Sequence, residues 1–137
     1  MEQRIEVPAD WEHIATLMAF SDTAERELPI TEEQCYILRL VIEEIATNIV
    51  KYGYDDANRG TIQLACRMVE SKLTITIRDH GRPFDPRDQS DPDLSDDLET
   101  RSAGGLGIFF VREYADTIDY HHDSATGWNE LVVIKGQ

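Results

Sequence analysis

Basic residues are scarce in this chain. Its 137 residues carry 13 Lys and Arg against 27 Asp and Glu, a formal net charge of −14. Phosphate contacts dominate nucleic-acid affinity and need a basic patch, so a nucleic-acid partner is not expected. Long apolar runs are missing as well. Nothing approaches the roughly 18 consecutive apolar residues of a membrane span, and Met1–Pro8 lacks the apolar core of a secretory signal. Neither a membrane nor an export route is therefore expected. There are only two cysteines, Cys35 and Cys66, far apart and outside any CxxC spacing. That excludes a disulfide framework and argues against structural zinc. It fits small buried side chains or free thiols in a reducing cytoplasm. No internal repeat is visible. With 41% apolar content, residues 1–137 fit one soluble domain with one core.

The acidity is uneven. Asp85, Asp88, Asp91, Asp93, Asp96, Asp97 and Glu99 face a lone Arg87, as in a solvated surface loop. An anionic ligand would meet a repulsive overall field, corrected only locally by a divalent cation, backbone N–H groups and a few placed cations.

The pattern along the chain alternates between strand and helix periods. Ile5 and Val7 mark a first strand. Pro8-Ala9-Asp10 opens a helix to about Glu25, with Trp11, Ile14, Leu17 and Met18 on its apolar face. Thr31-Glu32-Glu33-Gln34 has the form of a capping box and predicts a second helix to about Lys51. Ile62, Leu64, Cys66 and Met68, then Leu73, Ile75 and Ile77, alternate with polar residues around the Glu70-Ser71-Lys72 turn. Residues 80–103 hold three prolines and no sustained period, which predicts a long loop with one helical turn near 94–98. A third helix runs from the glycines at 104–107 to Ala115, and strands at 117–121 and 130–135 close the order. The fold class that follows is α+β in two layers, a mixed, mostly antiparallel sheet covered on one face by three helices.

Three stretches carry chemistry. In the second helix Ile37, Val41, Glu44 and Asn48 recur at helical spacing, which turns a carboxylate and an amide toward the apolar face. Such groups need a ligand, a metal or a polar network to repay desolvation, unless Glu44 reaches solvent at the stripe's edge. Asn48 can hold Mg²⁺ through its amide oxygen, since that ion keeps waters and phosphates as its other ligands, and Glu44 can activate a hydroxyl. The alternation Leu73, Ile75, Ile77 carries on to Asp79, an inward carboxylate able to read an exocyclic purine amine. Gly81 lets backbone approach a planar ligand. Asp79-His80-Gly81 also reads as a plain turn that ends the strand. Gly104-Gly105-Leu106-Gly107 opens a helix and suits an anion at the free N–H groups, or serves as a hinge for the acidic loop. It matches neither GxGxxG nor GxxxxGK[ST].

Taken in order, Glu44-Ile45-Ala46-Thr47-Asn48, Asp79-His80-Gly81-Arg82-Pro83-Phe84-Asp85-Pro86 and Gly104-Gly105-Leu106-Gly107 resemble the N, G1 and G2 boxes of the GHKL ATPases, which share the Bergerat fold. The Glu-x-x-x-Asn-x-x-x-x-Gly-Tyr ending and the Pro-Phe-Asp-Pro run are similar to one branch, the RsbW-like anti-sigma-factor serine/threonine kinases. The resemblance implies an ATP- and Mg²⁺-dependent kinase in which Asn48 ligates the metal and Glu44 is the general base. Asp79 would accept from the adenine amine, with Gly81 beneath the base. Gly104, Gly105, Leu106 and Gly107 would meet the phosphates, residues 85–103 would form an ATP lid, and Arg101 would contact phosphate. It further implies a STAS-fold anti-sigma-factor antagonist as substrate, a sigma factor as partner, a homodimer and a cytoplasmic location. One departure stands out: Gly127-Trp128-Asn129-Glu130-Leu131-Val132 offers no Thr to the adenine pocket, where wider GHKL members often have one. The competing expectation is a nucleotide-binding regulatory module that sequesters a partner with little or no transfer. A sensor histidine kinase fits poorly, because none of His13, His80, His121 and His122 lies on a plausible dimerisation hairpin.

Overall fold

The computed structural model describes residues 1–88 and 105–137. The strands are β1 (Glu2–Pro8), β2 (Thr61–Val69), β3 (Lys72–Asp79), β4 (Thr117–His122) and β5 (Asn129–Lys135), in the sheet order β1-β2-β3-β5-β4. The helices are α1 (Glu12–Glu27), α2 (Glu32–Val41) and α3 (Gly105–Tyr114). This is the expected two-layer α+β architecture. The expected mixed sheet is corrected: among the described residues every pairing is antiparallel. The stretch through α3 returns β4 parallel to β3 but one place away, and β5 fills the gap antiparallel to both.

Alternation sorts the two sheet faces. Ile62, Leu64, Cys66 and Met68 of β2, Leu73, Ile75 and Ile77 of β3, and Leu131 and Val133 of β5 point into the core with Leu17, Leu38, Val41, Ile42 and Val50 from the helical layer. The tight β2–β3 turn is made by Glu70 and Ser71, both with positive φ (52° and 69°), a twist that suits a two-residue hairpin. Trp11, expected on the apolar face of α1, is 56% exposed. The helix begins only at Glu12, so residue 11 precedes the turns that face the sheet.

The capping box forms as expected. Gln34 N–H donates to Thr31 Oγ1 at 3.1 Å, and Thr31 N–H donates to Gln34 Oε1 at 3.0 Å. Gln34 is also fully buried, and its amide donates to the carbonyls of Ser71 (3.0 Å) and Lys135 (2.8 Å). One side chain thus ties the start of α2 to the β2–β3 turn and to the end of β5. The single second helix expected through Lys51 is interrupted: after Val41 the backbone widens into π turns at Ile42–Ala46 and Ile49–Gly53.

Thr31→Ala should cost about 1 kcal/mol, the usual worth of an N-cap. Gln34→Leu should cost more, roughly 2–4 kcal/mol, because it strips a donor from two carbonyls as well as half of the cap. Urea unfolding of both variants tests this. Equal losses would mean that the bonds to Ser71 and Lys135 contribute nothing.

Candidate active site

Asp79 ends β3 on the inner face, 6% exposed, continuing the buried series of Leu73, Ile75 and Ile77. Its Oδ2 accepts from Gly81 N–H at 2.8 Å and from Asn129 Nδ2 at 3.3 Å. Burial pushes its carboxyl pKa up, against the opposing pull of those two donors and of His80 and His122. Gly81 is required by close approach. A Cβ there would lie 2.6 Å from the Gly53 carbonyl oxygen and 2.9 Å from Asp79 Oδ2. Arg82 N–H donates to the same Gly53 carbonyl at 2.7 Å, so the turn after β3 rests on the C-terminal end of the π-turn segment. The His80 ring lies against Trp128, with centroids 3.5 Å apart and planes tilted by 37°.

Asn129 was not anticipated. It is 3% exposed, stands directly opposite Asp79 in the sheet, and donates to Asp79 and to the Gly81 carbonyl (2.8 Å). The signal was available: Asn129 alternates with Leu131 and Val133 on the inward face of β5, as Asp79 does on β3. It occupies the stretch where a Thr had been sought.

Asn48 and Asp79 meet at one cavity of about 200 Å³, whose walls include Ile45, Ile49, Tyr52, Ile77, Phe84 and Leu131. Apolar walls with the polar side chains of Asn48, Asp79 and Asn129 among them fit a planar, hydrogen-bonding ligand. A larger concavity of about 580 Å³ lies on the open face of the sheet along Thr74, Thr76 and Arg78, and holds none of the expected site residues. Glu44 does not line the Asp79 cavity. It is half-buried, and its side chain lies against Gly107 in the first turn of α3, where an added Cβ would overlap its carboxyl group. Burial, with Glu43 alongside, raises its pKa. Of the two readings of Glu44, the structure matches the one at the edge of the apolar stripe, and Asn48 lies at the margin with it. The π turns shift the phase, so Ile42, Ile45, Ala46 and Val50 are buried while both polar residues are half-buried at the margin. Gly105, Leu106 and Gly107 open α3 as expected. Arg101, Gly104, the turn near 94–98 and the lid from 89 onward lie outside the described residues.

Residues 7–135 match the family described as Histidine kinase-like ATPase domain. The chain belongs to this family. ATP is therefore the ligand that its membership implies. The chain is similar to the serine-protein kinase RsbW of Bacillus velezensis, 27% identical over 126 residues that cover 88% of this chain and 78% of that protein. It is 26% identical over 98 residues to the serine/threonine-protein kinase BtrW of Bordetella bronchiseptica, covering 72% and 68%. The solved Acinetobacter baumannii histidine kinase AdeS aligns at a TM-score of 0.47 and 17% identity, over 96% of this chain and 67% of that one. Among the described residues no helix is long and apolar enough to cross a membrane, and no cluster of three His, Cys, Asp or Glu could hold a metal by itself. A Mg²⁺ ion held by one amide oxygen, waters and phosphates needs no such cluster.

An acid whose pKa rises on folding keeps its proton better in the folded state. Its contribution to stability is then greatest at low pH and is lost as pH rises through the raised value. Asp79→Asn should accordingly flatten the decline in stability of the nucleotide-free protein as pH rises above the ordinary aspartate range, measured by thermal unfolding over a pH series. The same substitution should weaken ATP binding in calorimetry. An unchanged pH slope would show that burial does not raise the Asp79 pKa.

Proposed function

We propose that the protein is an ATP- and Mg²⁺-dependent serine/threonine protein kinase and anti-sigma factor, which phosphorylates a STAS-fold anti-sigma-factor antagonist in a bacterial partner-switching system. The observation that carries this reading is Glu44, a half-buried carboxylate one turn before Asn48 on the helix beside the Asp79 cavity, and not needed to hold a base. The kinase names of the relatives support it, as does the run of three boxes in register. The resemblance to RsbW-like proteins supports a sigma factor as the sequestered partner and a homodimer as the working unit.

The geometry supports a division of labour among these residues. The cavity, at about 200 Å³, is below the roughly 300–1,000 Å³ of pockets that enclose a drug-sized ligand, so it takes the adenine ring and leaves ribose and phosphates outside. Asp79 accepts from the 6-amino group. Asn48 lines the cavity, and its amide oxygen would hold Mg²⁺, which when bound would supply charge neutralisation. The N–H groups at the start of α3, where Gly107 packs on Glu44, would meet the phosphates. Glu44 takes the proton of the acceptor Ser or Thr hydroxyl as its oxygen bonds to the γ-phosphorus. The bond to the β–γ bridging oxygen breaks, and ADP leaves. A raised pKa makes Glu44 a stronger base than an exposed glutamate. Its place outside the cavity lining is the one observation on the side of a binding module with little transfer.

Radiolabelled ATP, Mg²⁺ and a STAS-fold protein from the same organism should yield label on a Ser or Thr of that protein. Glu44→Ala should keep nucleotide binding and lower transfer by about 10²–10⁴-fold, the range of a general base. Wild-type transfer should fall on acidification at a pH above the ordinary glutamate range. Normal transfer by Glu44→Ala removes the base assignment, and binding of ATP without any transfer favours the regulatory module.

A further inference from the structure

Asn129 makes more directed contacts than filling a gap at the end of a strand requires. Its Nδ2 donates to Asp79 Oδ2 at 3.3 Å and to the Gly81 carbonyl at 2.8 Å. Its Oδ1 accepts from the Tyr120 hydroxyl at 3.1 Å and faces His122 Nδ1 at 2.6 Å. Tyr120 in turn accepts from Phe84 N–H at 3.0 Å. An amide is the one uncharged side chain that supplies two donors on one side and a two-bond acceptor on the other. The opposite flip would set Oδ1 against a carboxylate and a carbonyl, so Asp79 and the Gly81 carbonyl fix its orientation, and the Tyr120 hydroxyl donates to the oxygen left on the other side.

These bonds have a consequence for Asp79. Its Oδ2 is saturated from inside by Gly81 and Asn129, and the carboxylate is held as a pure acceptor with its plane fixed. A carboxylate so held rewards a ligand N–H and repels a ligand carbonyl oxygen. We propose that Asn129 is the positioning residue that sets base selectivity at this site, holding Asp79 so that a 6-amino purine is taken and a 6-oxo purine refused. The proposal rests on the nucleotide reading given above. Asn129 touches Asp79, Gly81 and, through Tyr120, the backbone of Phe84, a residue of the cavity wall. One amide therefore fixes both the acceptor and the apolar surface beside it.

Alternative residues at 129 differ in what they leave. Alanine leaves Asp79 Oδ2 with the Gly81 N–H alone and leaves the Gly81 carbonyl without this donor. Serine keeps one donor. Aspartate sets two carboxylates face to face; one of them then holds a proton and becomes a donor that a 6-oxo group can accept.

The test is calorimetric titration of the wild-type protein and its Asn129→Ala, Asn129→Ser and Asn129→Asp variants with ATP and with inosine triphosphate, in Mg²⁺. The two nucleotides differ along one edge of the base: the 6-amino group becomes a 6-oxo group and N1 gains a proton. The ratio of their affinities does not depend on the fraction of protein folded, so a purely structural loss does not move it. The wild type should prefer ATP. Asn129→Ala should lower that preference by about tenfold or more, the worth of a hydrogen bond to a charged group. Asn129→Ser should fall between, and Asn129→Asp should shift furthest toward inosine triphosphate as pH is lowered. Tyr120→Phe, which removes one anchor of Oδ1 and leaves residue 129 intact, should lower the preference by less. An unchanged ratio across the variants overturns the role of Asn129 and leaves the nucleotide site standing. A wild type that binds neither nucleotide overturns the site itself.

Discussion

The site is organised around keeping one carboxylate nearly out of water. Asp79 sits on the inner face of the sheet with apolar neighbours on its own strand, and an ionised group there is costly unless donors surround it. Two donors come from fixed positions, a backbone N–H two residues on and an amide directly across the sheet. Both depend on local backbone geometry. Gly81 must lack a Cβ for its N–H to turn back, and Asn129 must be in antiparallel register with Asp79. The register in turn depends on β5 entering between β3 and β4, so the strand order of the whole sheet is a condition for the polarity of one pocket.

Much of this was legible in the sequence, where the signal is local. Period-two alternation placed Asp79 on the inner face, because a strand's two faces are fixed by parity alone. The Thr31 and Gln34 pair announced its own cap. The glycines at 105 and 107 marked a helix start. What was not legible involved either phase or long-range pairing. The π turns after Val41 add backbone without any change in the apolar pattern, so an α-helical count turns Glu44 and Asn48 too far inward. Asn129 is a lone polar residue at a strand end until β5 is set beside β3, and only then does its partner appear. The same holds for Glu44 and Gly107, which touch although more than sixty positions separate them in the chain.

A protein with a net charge of −14 has to accommodate an anionic ligand without a basic cleft. The described part of the cavity meets that constraint mainly through neutral donors. The lining contains one cation, Arg82, and it is already paired with Asp55 at 2.8 Å. Backbone N–H groups and amides do not attract at long range, but they keep their strength close to the ligand, where the surrounding apolar side chains exclude water. Recognition of this kind is short-ranged, and it is less screened by salt than recognition by surface charge.

Gln34 lies at the far end of the sheet from Asp79, and its bonds to Ser71 and Lys135 join the helical layer to both central strands there. The Asp79 end is fastened too: Arg82 N–H donates to the Gly53 carbonyl at 2.7 Å and His80 N–H donates to the Tyr54 hydroxyl at 2.7 Å. The helical layer is thus tied to the sheet at both ends of β3. A ligand arriving at Asp79 meets a rim whose backbone positions are already set, so little ordering is left for binding to bring about.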